Sequence, residues 1–401
     1  MRCDASRHGA ARRQGSVLPI VMVTSAIVAA LGTSMLALGH HVRMRAIRSV
    51  QVTAARVAAD AGLAWAMQAL SSQYDDGTLA SWALPGGTNV AIPNFEGTFT
   101  YTTVEGPSDG YTITSVGNYH GVQRTVEAVM KSKVMVHEYA LFGSQSLVLN
   151  NLAKIDWYNY ESGDESLKIV TNSADSASIV LEANSYINGD VVIGPGGSAD
   201  DAIENNGGQY TGAVYTQSRT YKPPAVSVPD YLSSSSDAGR IDDNRTISSS
   251  GKYSRIDLGN REKLIIDGNV ELYITGNVTM NLQSEIQINE GSSLVLYVDG
   301  NVEGKNGSVF NNLTQDARAF KLFGTESCSK ITLKNSGDMY AIVYAPTAEV
   351  TVHNSATLWG SITSRTCELK AGAAMYYDAS LRDYEEPALA KRLELASWRE
   401  Y

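Results

Sequence analysis

KLIIDGNVELYITGNVTMNLQSEIQINEGSSLVLYVDGNV occupies residues 263–302. Four short apolar runs stand in it: Lys263-Leu264-Ile265-Ile266, Glu271-Leu272-Tyr273-Ile274, Glu285-Ile286-Gln287-Ile288 and Leu294-Val295-Leu296-Tyr297-Val298. Gly, Asn, Asp and Ser fill the gaps, and Gly-Asn-Val returns at Gly268, Gly276 and Gly300. Short β-branched runs between turn residues read as strands. The same texture extends from about Leu147 to Tyr377. It includes Ser178–Leu181, Asp190–Ile193, Lys330–Leu333, Ala341–Tyr344, Glu349–Val352 and Leu358–Ile362. Turn residues every eight to twelve positions suit a β-solenoid, whose stacked coils bury inward apolar stripes and turn at Asn and Gly. A sandwich or barrel is the alternative.

Composition agrees with a mainly β chain. Of 401 residues, 18% are charged, below the usual quarter, and Tyr numbers 21 against 6 Phe. This excludes a coiled coil and a wholly disordered chain. The net charge of -10 argues against a general nucleic-acid binder. Charge is unevenly spread. Arg2, Arg7, Arg12, Arg13, Arg43, Arg45 and Arg48 are opposed before residue 49 only by Asp4, so the acidity lies in the body.

From Gly15 to Gly39 no side chain is charged. A helix of that length crosses a bilayer. Apolar residues continue at helical spacing through Ile47, Val50, Ala54, Val57, Ala61 and Trp65, which predicts one continuous helix over 16–75 with an amphipathic second half. A secretory signal peptide cut after Gly39 and a plain membrane anchor are the competing readings.

Residues 76–136 read as a small antiparallel sheet. Thr98–Val104, Tyr111–Gly117 and Gln123–Met130 alternate, separated by Gly106-Pro107-Ser108-Asp109-Gly110 and Asn118-Tyr119-His120-Gly121. The first turn matches a nucleophile-elbow pattern, but strand-like sequence on both sides predicts a hairpin turn.

A basic leader, Arg13-Gln14-Gly15-Ser16-Val17-Leu18-Pro19, and Ala58-Ala59-Asp60-Ala61-Gly62-Leu63 together resemble the PilX N-terminal type of minor pilins and pseudopilins. Asp60 stands where that family usually has Glu. The resemblance implies a leader, 1–15, cut between Gly15 and Ser16 by a prepilin peptidase. It also implies a helix in the inner membrane before assembly, a pilin-like α/β head, and partners among other pilins or pseudopilins and their assembly platform. The fifth mature residue would be Ile20, where major pilins carry Glu, which suits a minor subunit. The run from Ala341 to Val350, Gly360-Ser361-Ile362 and Met375–Leu381 resembles a β-helical domain attached to such N-termini in pilus-biogenesis proteins. The expectation is therefore a right-handed β-helix over 137–384. A surface excursion interrupts it at 194–252, and a C-terminal helix follows over 385–401.

Chemistry is sparse. There is no zinc spacing, phosphate loop or dinucleotide fingerprint, so no cofactor, metal site or catalytic residue is expected. Cys328 and Cys367 are a candidate disulfide. On coils of roughly 20 residues they would sit two rungs apart, too far to bond unless a loop intervenes. Asp242 and Asp243 beside Asn244 are a candidate weak calcium site. Trp157, Tyr158 and Tyr160 form the densest aromatic cluster and are a candidate ligand patch, for instance for a surface polysaccharide. Two functions follow: a structural pilin-like subunit displaying a β-helix, or an exported β-helix protein that binds or cleaves polysaccharide.

Overall fold

The computed structural model describes residues 17–75, 79, 83–106, 110–133, 138–161, 166–334, 337–384, 386, 389 and 392–401. The predicted cleavage site, Gly15 and Ser16, lies outside the described residues. The chain divides into two units, residues 1–132 with 393–401, and residues 133–392.

The first unit is one long helix and a five-stranded sheet. The helix, Val17–Asp75, is unbroken. In its apolar first half the hydroxyls of Thr24, Ser25, Thr33 and Ser34 donate to carbonyls one turn back. That arrangement satisfies each hydroxyl without water. Burial begins at Ala55 and follows helical spacing through Ala58, Ala59, Leu63, Ala66 and Leu70. This face lies on Gly87–Ala91, Thr98–Glu105, Gly110–Tyr119 and Val122–Lys133, each antiparallel to the next. Alternate residues point inward, and Phe99, Tyr101, Ile113, Val126, Ala128 and Met130 complete the core. Each large side chain buried there stabilises the unit by about 1.5–3 kcal/mol.

The fifth strand corrects an expectation. The predicted C-terminal helix is instead a strand, Arg392–Glu400, beside Val122–Lys133. An unpaired sheet edge has a row of unmet backbone groups, and this strand meets them. Tyr401 N donates to Thr125 O at 2.9 Å, and Arg399 bonds Glu127 through Nε at 3.0 Å. Arg56 reaches from the helix to Glu400 at 3.3 Å and lies 5.7 Å from the Trp398 ring. Leu393 and Leu395 fit either periodicity, so spacing alone did not decide.

The second unit consists of parallel ladders. The first runs through Gly251–Tyr253, Asn269–Ile274, Ser293–Val298, Phe320–Gly324, the middles of Asp338–Val352 and Thr357–Leu369, the start of Leu141–Leu149, then Lys168–Thr171, Asp190–Ile193 and Val214–Thr216. The second runs through Arg240–Ile241, Arg255–Leu258, Val278–Met280, Val302–Gly304, Lys330–Leu333 and the ends of the two long strands. It continues through the end of Leu141–Leu149, Ile179–Leu181 and Ile203–Asn205. A third face has two parts. One is Arg245–Ile247, Lys263–Ile266, Glu285–Ile288 and Val309–Asn312; the other centres on Ala374–Asp378 and Lys154–Tyr158. Identical positions recur 24 residues apart in places, as at Asn269 and Ser293. Stacking turns sequence repeats into apolar columns. Leu272, Leu296, Leu322, Val343, Ile362, Leu141, Ile169 and Val191 are successive register partners, all buried.

The stacking order is not the chain order. The last long strand pairs with the first strand of the unit, Ile362 opposite Leu141 and Cys367 opposite Leu147. The chain leaves one end of the stack at Val214–Thr216 and resumes at the other end at Arg240–Ile241. The excursion expected over 194–252 is therefore narrower. Ile203–Asn205, Gln209–Tyr210, Val214–Thr216 and the strands from Arg240 onward belong to ladders.

Residues 217–239 make the return as a strap over the outward side of the first ladder. Tyr221 N donates to Asn172 Oδ1 at 2.8 Å, and its ring meets Phe142 edge-on at 5.1 Å. The Tyr344 hydroxyl donates to Pro224 O at 2.6 Å. Lys252 Nζ donates to Ser233 O at 2.8 Å. Val226 and Leu232 are buried, as are the outward aromatics Tyr297, Phe323, Tyr344 and Phe142.

On the same side, Lys321 Nζ lies 2.9 Å from Glu386 and 2.6 Å from the Tyr384 hydroxyl. Burial works to lower the ammonium's pKa, but the bond and charge of Glu386 together with Tyr384 outweigh it and hold the group above its ordinary value. Glu386 is 1% exposed. Lys321→Met removes the ammonium from beside that buried carboxylate, and we expect a loss of about 3–5 kcal/mol in denaturant unfolding. Adding Glu386→Leu is expected to recover most of it. Equal losses in the single and double variants would mean the pair does not act as a unit.

Candidate functional site

Three places bear the residues singled out from sequence. The first is the helix motif. Ala58, Ala59, Gly62 and Leu63 face the sheet, while Asp60 is half exposed and 3.8 Å from Arg56. A Cβ on Gly62 would overlap Phe99 and Ser115; one on Gly117, in the facing strand, would overlap the backbone of Ala55 and Ala59. Small residues are needed on both sides because helix and sheet approach this closely. The motif's role here is packing.

Before the motif the helix is bare. Ile20, Met22, Val28, Leu31, Met35, Leu36 and Leu38 are each more than half exposed. The most apolar window has a mean hydropathy of 2.0, so this helix is long and apolar enough to cross a membrane. His40, His41, Arg43, Arg45 and Arg48 follow the apolar run.

The second place is the aromatic cluster, which the structure divides. Tyr158 meets Trp359 edge-on at 4.9 Å. Trp359 is stacked between Tyr340, at 5.6 Å, and Tyr376, at 4.3 Å, because the three are register partners on successive parallel strands. The flat faces of that column are occupied by one another. Trp157 and Tyr160 lie apart from it, 4.9 Å from each other, in a groove with Ser166, Asn188, Gly189 and Thr211. The Arg382 guanidinium stands 5.5 Å from the Trp157 ring. Between the two groups Asp156 takes bonds from Lys154 at 2.7 Å and Asn188 at 2.8 Å. Burial opposes its charged form, but those bonds prevail and hold its pKa below the ordinary carboxylate value.

Cys328 and Cys367 are separate buried thiols, so the candidate disulfide is not formed. In the second ladder Val350 stands between Ile331 and Cys367, which separates the two cysteines by the two rungs that spacing suggested. Burial raises both thiol pKa values, that of Cys328 to about 11. The candidate calcium residues are already engaged: Asp242 with Arg240, Asp243 with Arg245, and Asn244 Oδ1 with Lys263 N. The hairpin reading of the Gly106 turn fits its ends, where Gly106 N donates to Gly110 O at 2.8 Å between antiparallel strands. Residues 107–109 lie outside the described residues.

The third place was not read from sequence. The outward side of the second ladder forms a polar groove lined by Asn301, Glu303, Lys330, Thr332, Lys334, Glu349, Thr351, His353, Glu368 and Lys370. Register builds it: Glu303, Thr332, Thr351 and Glu368 are successive partners, and Lys330 faces Glu349. Asn150 Nδ2 donates to Glu368 at 2.9 Å, and Lys370 pairs with the same carboxylate. Burial opposes the Glu368 charge, yet these partners outweigh it and lower its pKa.

Comparison with known proteins adds the following. Residues 214–384 match a family described as "Domain of unknown function (DUF7305)", which begins at the last strand before the strap. No curated protein matches the chain. Among solved structures, the competence-associated pilin ComZ from Thermus thermophilus is similar over 88% of this chain and 97% of its own, at 13% identity and a TM-score of 0.25. An ice-binding protein from the Antarctic ascomycete Antarctomyces psychrotrophicus is similar over 61% of this chain and 95% of its own, also at 13% identity and a TM-score of 0.25.

Proposed function

We propose that this chain is a non-enzymatic, minor pilin-like subunit of a bacterial envelope fibre or secretion pseudopilus. Its bare apolar helix is held in the inner membrane before assembly and then packs among other pilins or pseudopilins. The parallel ladders between Leu141 and Asp378 form a right-handed β-helix that the subunit displays. The handedness rests on the strong right-handed preference of parallel crossovers. The observation that carries the reading is the single helix Val17–Asp75. Its first half is apolar with no partner in the described residues, and its second half is sealed onto an antiparallel sheet through Gly62 and Gly117. A helix divided in this way can leave a bilayer for a bundle of like helices without unfolding its head. Ile20, an apolar residue at the fifth position after Gly15, suits a subunit present in few copies.

The test is the N-terminal residue of the protein recovered from its own cell envelope, read by mass spectrometry. We expect Ser16, N-methylated, with loss of that processing when the prepilin peptidase is deleted. A start at His40 would mean ordinary secretion. Intact Met1 would mean a permanent anchor. Either result would overturn the pilin reading.

A further inference from the structure

The corners that follow four consecutive second-ladder strands carry a column of bases. His353 N donates to Leu333 O, Lys370 N to Val352 O and Lys305 N to Met280 O, each at 2.8 Å. These bonds continue the ladder register one residue further. Lys305, Lys334, His353 and Lys370 therefore stand on successive coils, with Asn281 before them and Asn150 after. At a strand spacing of about 4.8 Å the four groups span roughly 14 Å along the stack. Among the described residues the Lys334 side chain has no hydrogen-bond or ion-pair partner. Lys305 is exposed and reaches only a neutral group, Asn281 Oδ1 at 2.7 Å. Lys370 has Glu368 beside it. Burial, then the charges of Lys334 and Lys370, push the His353 pKa below that of an ordinary histidine, so the like charges are felt.

Lys305 and Lys334 place two like charges on adjacent rungs, with Lys370 two rungs further on, and this chain has 42 acidic residues against 32 basic ones. A basic line on an acidic protein is complementary to a linear anion with charges at a similar spacing. The flanking surface narrows the choice. Thr332, Thr351 and Asn301 offer hydroxyl and amide groups, and Glu303 and Glu349 accept hydrogen bonds from hydroxyls. Nucleic acid is favoured by a broad basic surface, whereas the lysines here form a narrow line with hydrogen-bonding groups beside it. A hydroxyl-rich chain with one carboxylate per sugar uses both kinds of group.

We propose that the outward groove of the second ladder binds an extended acidic polysaccharide laid along the stack, with Lys305, Lys334 and Lys370 meeting its carboxylates. The proposal concerns the ladder unit alone and stands whether or not residues 16–75 enter a fibre.

The test uses the full chain in a neutral detergent, titrated with polygalacturonate, with dextran as the neutral polymer and single-stranded DNA as the other polyanion. We expect binding of polygalacturonate that weakens as salt rises, and none of dextran. Lys334→Gln is expected to reduce affinity at least tenfold, and Lys334→Gln with Lys305→Gln to abolish it. Lys131→Gln, the same charge change in the other unit, should have little effect. Because neither Lys334 nor Lys305 has an acidic partner among the described residues, the thermal midpoints of these variants should match the parent. Equal affinity in parent and Lys334→Gln, equal binding of dextran, or no polygalacturonate binding would overturn the proposal. Tighter binding of DNA than of polygalacturonate would overturn it in favour of a nucleic-acid track.

Discussion

Replacing Gly117 with valine is expected to detach the long helix from its sheet. The side chain would have to occupy the space of the Ala55 and Ala59 backbone, and a helix backbone cannot rotate aside as a side chain can. Overpacking of a core typically costs about 1–3 kcal/mol, occasionally more. With three backbone atoms in the way, those of Ala55, Ala58 and Ala59, a loss of at least about 3 kcal/mol is expected, a large part of the 5–15 kcal/mol typical of a whole domain. Gly62→Leu should behave similarly but less severely, because Phe99 and Ser115 present side chains that can shift. Gly86→Ala is the control, since its nearest neighbour, Tyr101 O, would be 3.6 Å away at ordinary contact. Hydrogen exchange on full-length protein in detergent reads the effect. Protection of residues 55–70 should fall sharply in Gly117→Val and stay at the parental level in Gly86→Ala. Unchanged protection in Gly117→Val would show that helix and sheet do not meet as described. The fibre reading would then lose its structural support, because an unsealed helix would not carry its head with it.

How much of this was legible in the sequence depended on the range of the interaction. Hairpins and ladder strands are local. Glu285-Ile286-Gln287-Ile288 alternates between sides, and the glycines at 268, 276 and 300 mark corners, so strands and turns could be placed without coordinates. The small-residue motif at Ala58–Leu63 was also visible, although its part in packing against Gly117 was not. Pairing between distant segments left no local mark. Nothing near Leu141 says that it will lie beside Ile362, nor near Leu393 that it will join a sheet begun at Gly87. The C-terminal stretch reads as a helix over 385–401 because its leucines fit a helix as well as a strand, and the open edge of Val122–Lys133 decides between them. The stretch over 194–252 reads as an excursion because its strands are only two or three residues long and gain stability by stacking on neighbours. The basic column escaped for a related reason. Lys305, Lys334, His353 and Lys370 are scattered along the chain and become neighbours only when the coils stack.

Shortening the strap is expected to prevent the ladder unit from closing as a monomer. In the second ladder nine pairings separate Arg240–Ile241 from Ile203–Asn205. At about 4.8 Å each they span roughly 43 Å. Residues 217–239 cover that with slack. A ten-residue Gly/Ser linker reaches at most about 36 Å, even fully extended. With that replacement, residues 138–216 cannot stack on their own Thr357–Leu369. They can still stack on that strand of a second copy, so the expected product is an exchanged dimer, or an unfolded chain where concentration is low. A Gly/Ser linker of the original length separates reach from contact. It can close, but it uncovers Phe142, Tyr297, Phe323 and Tyr344. The loss is up to about 1.5–3 kcal/mol for each large side chain fully exposed. Light scattering after size exclusion gives the mass, and thermal unfolding gives the stability. A monomer from the short linker with an unchanged melting midpoint would contradict the stacking order itself, because no chain can join the two ends of this ladder across a gap longer than its own contour.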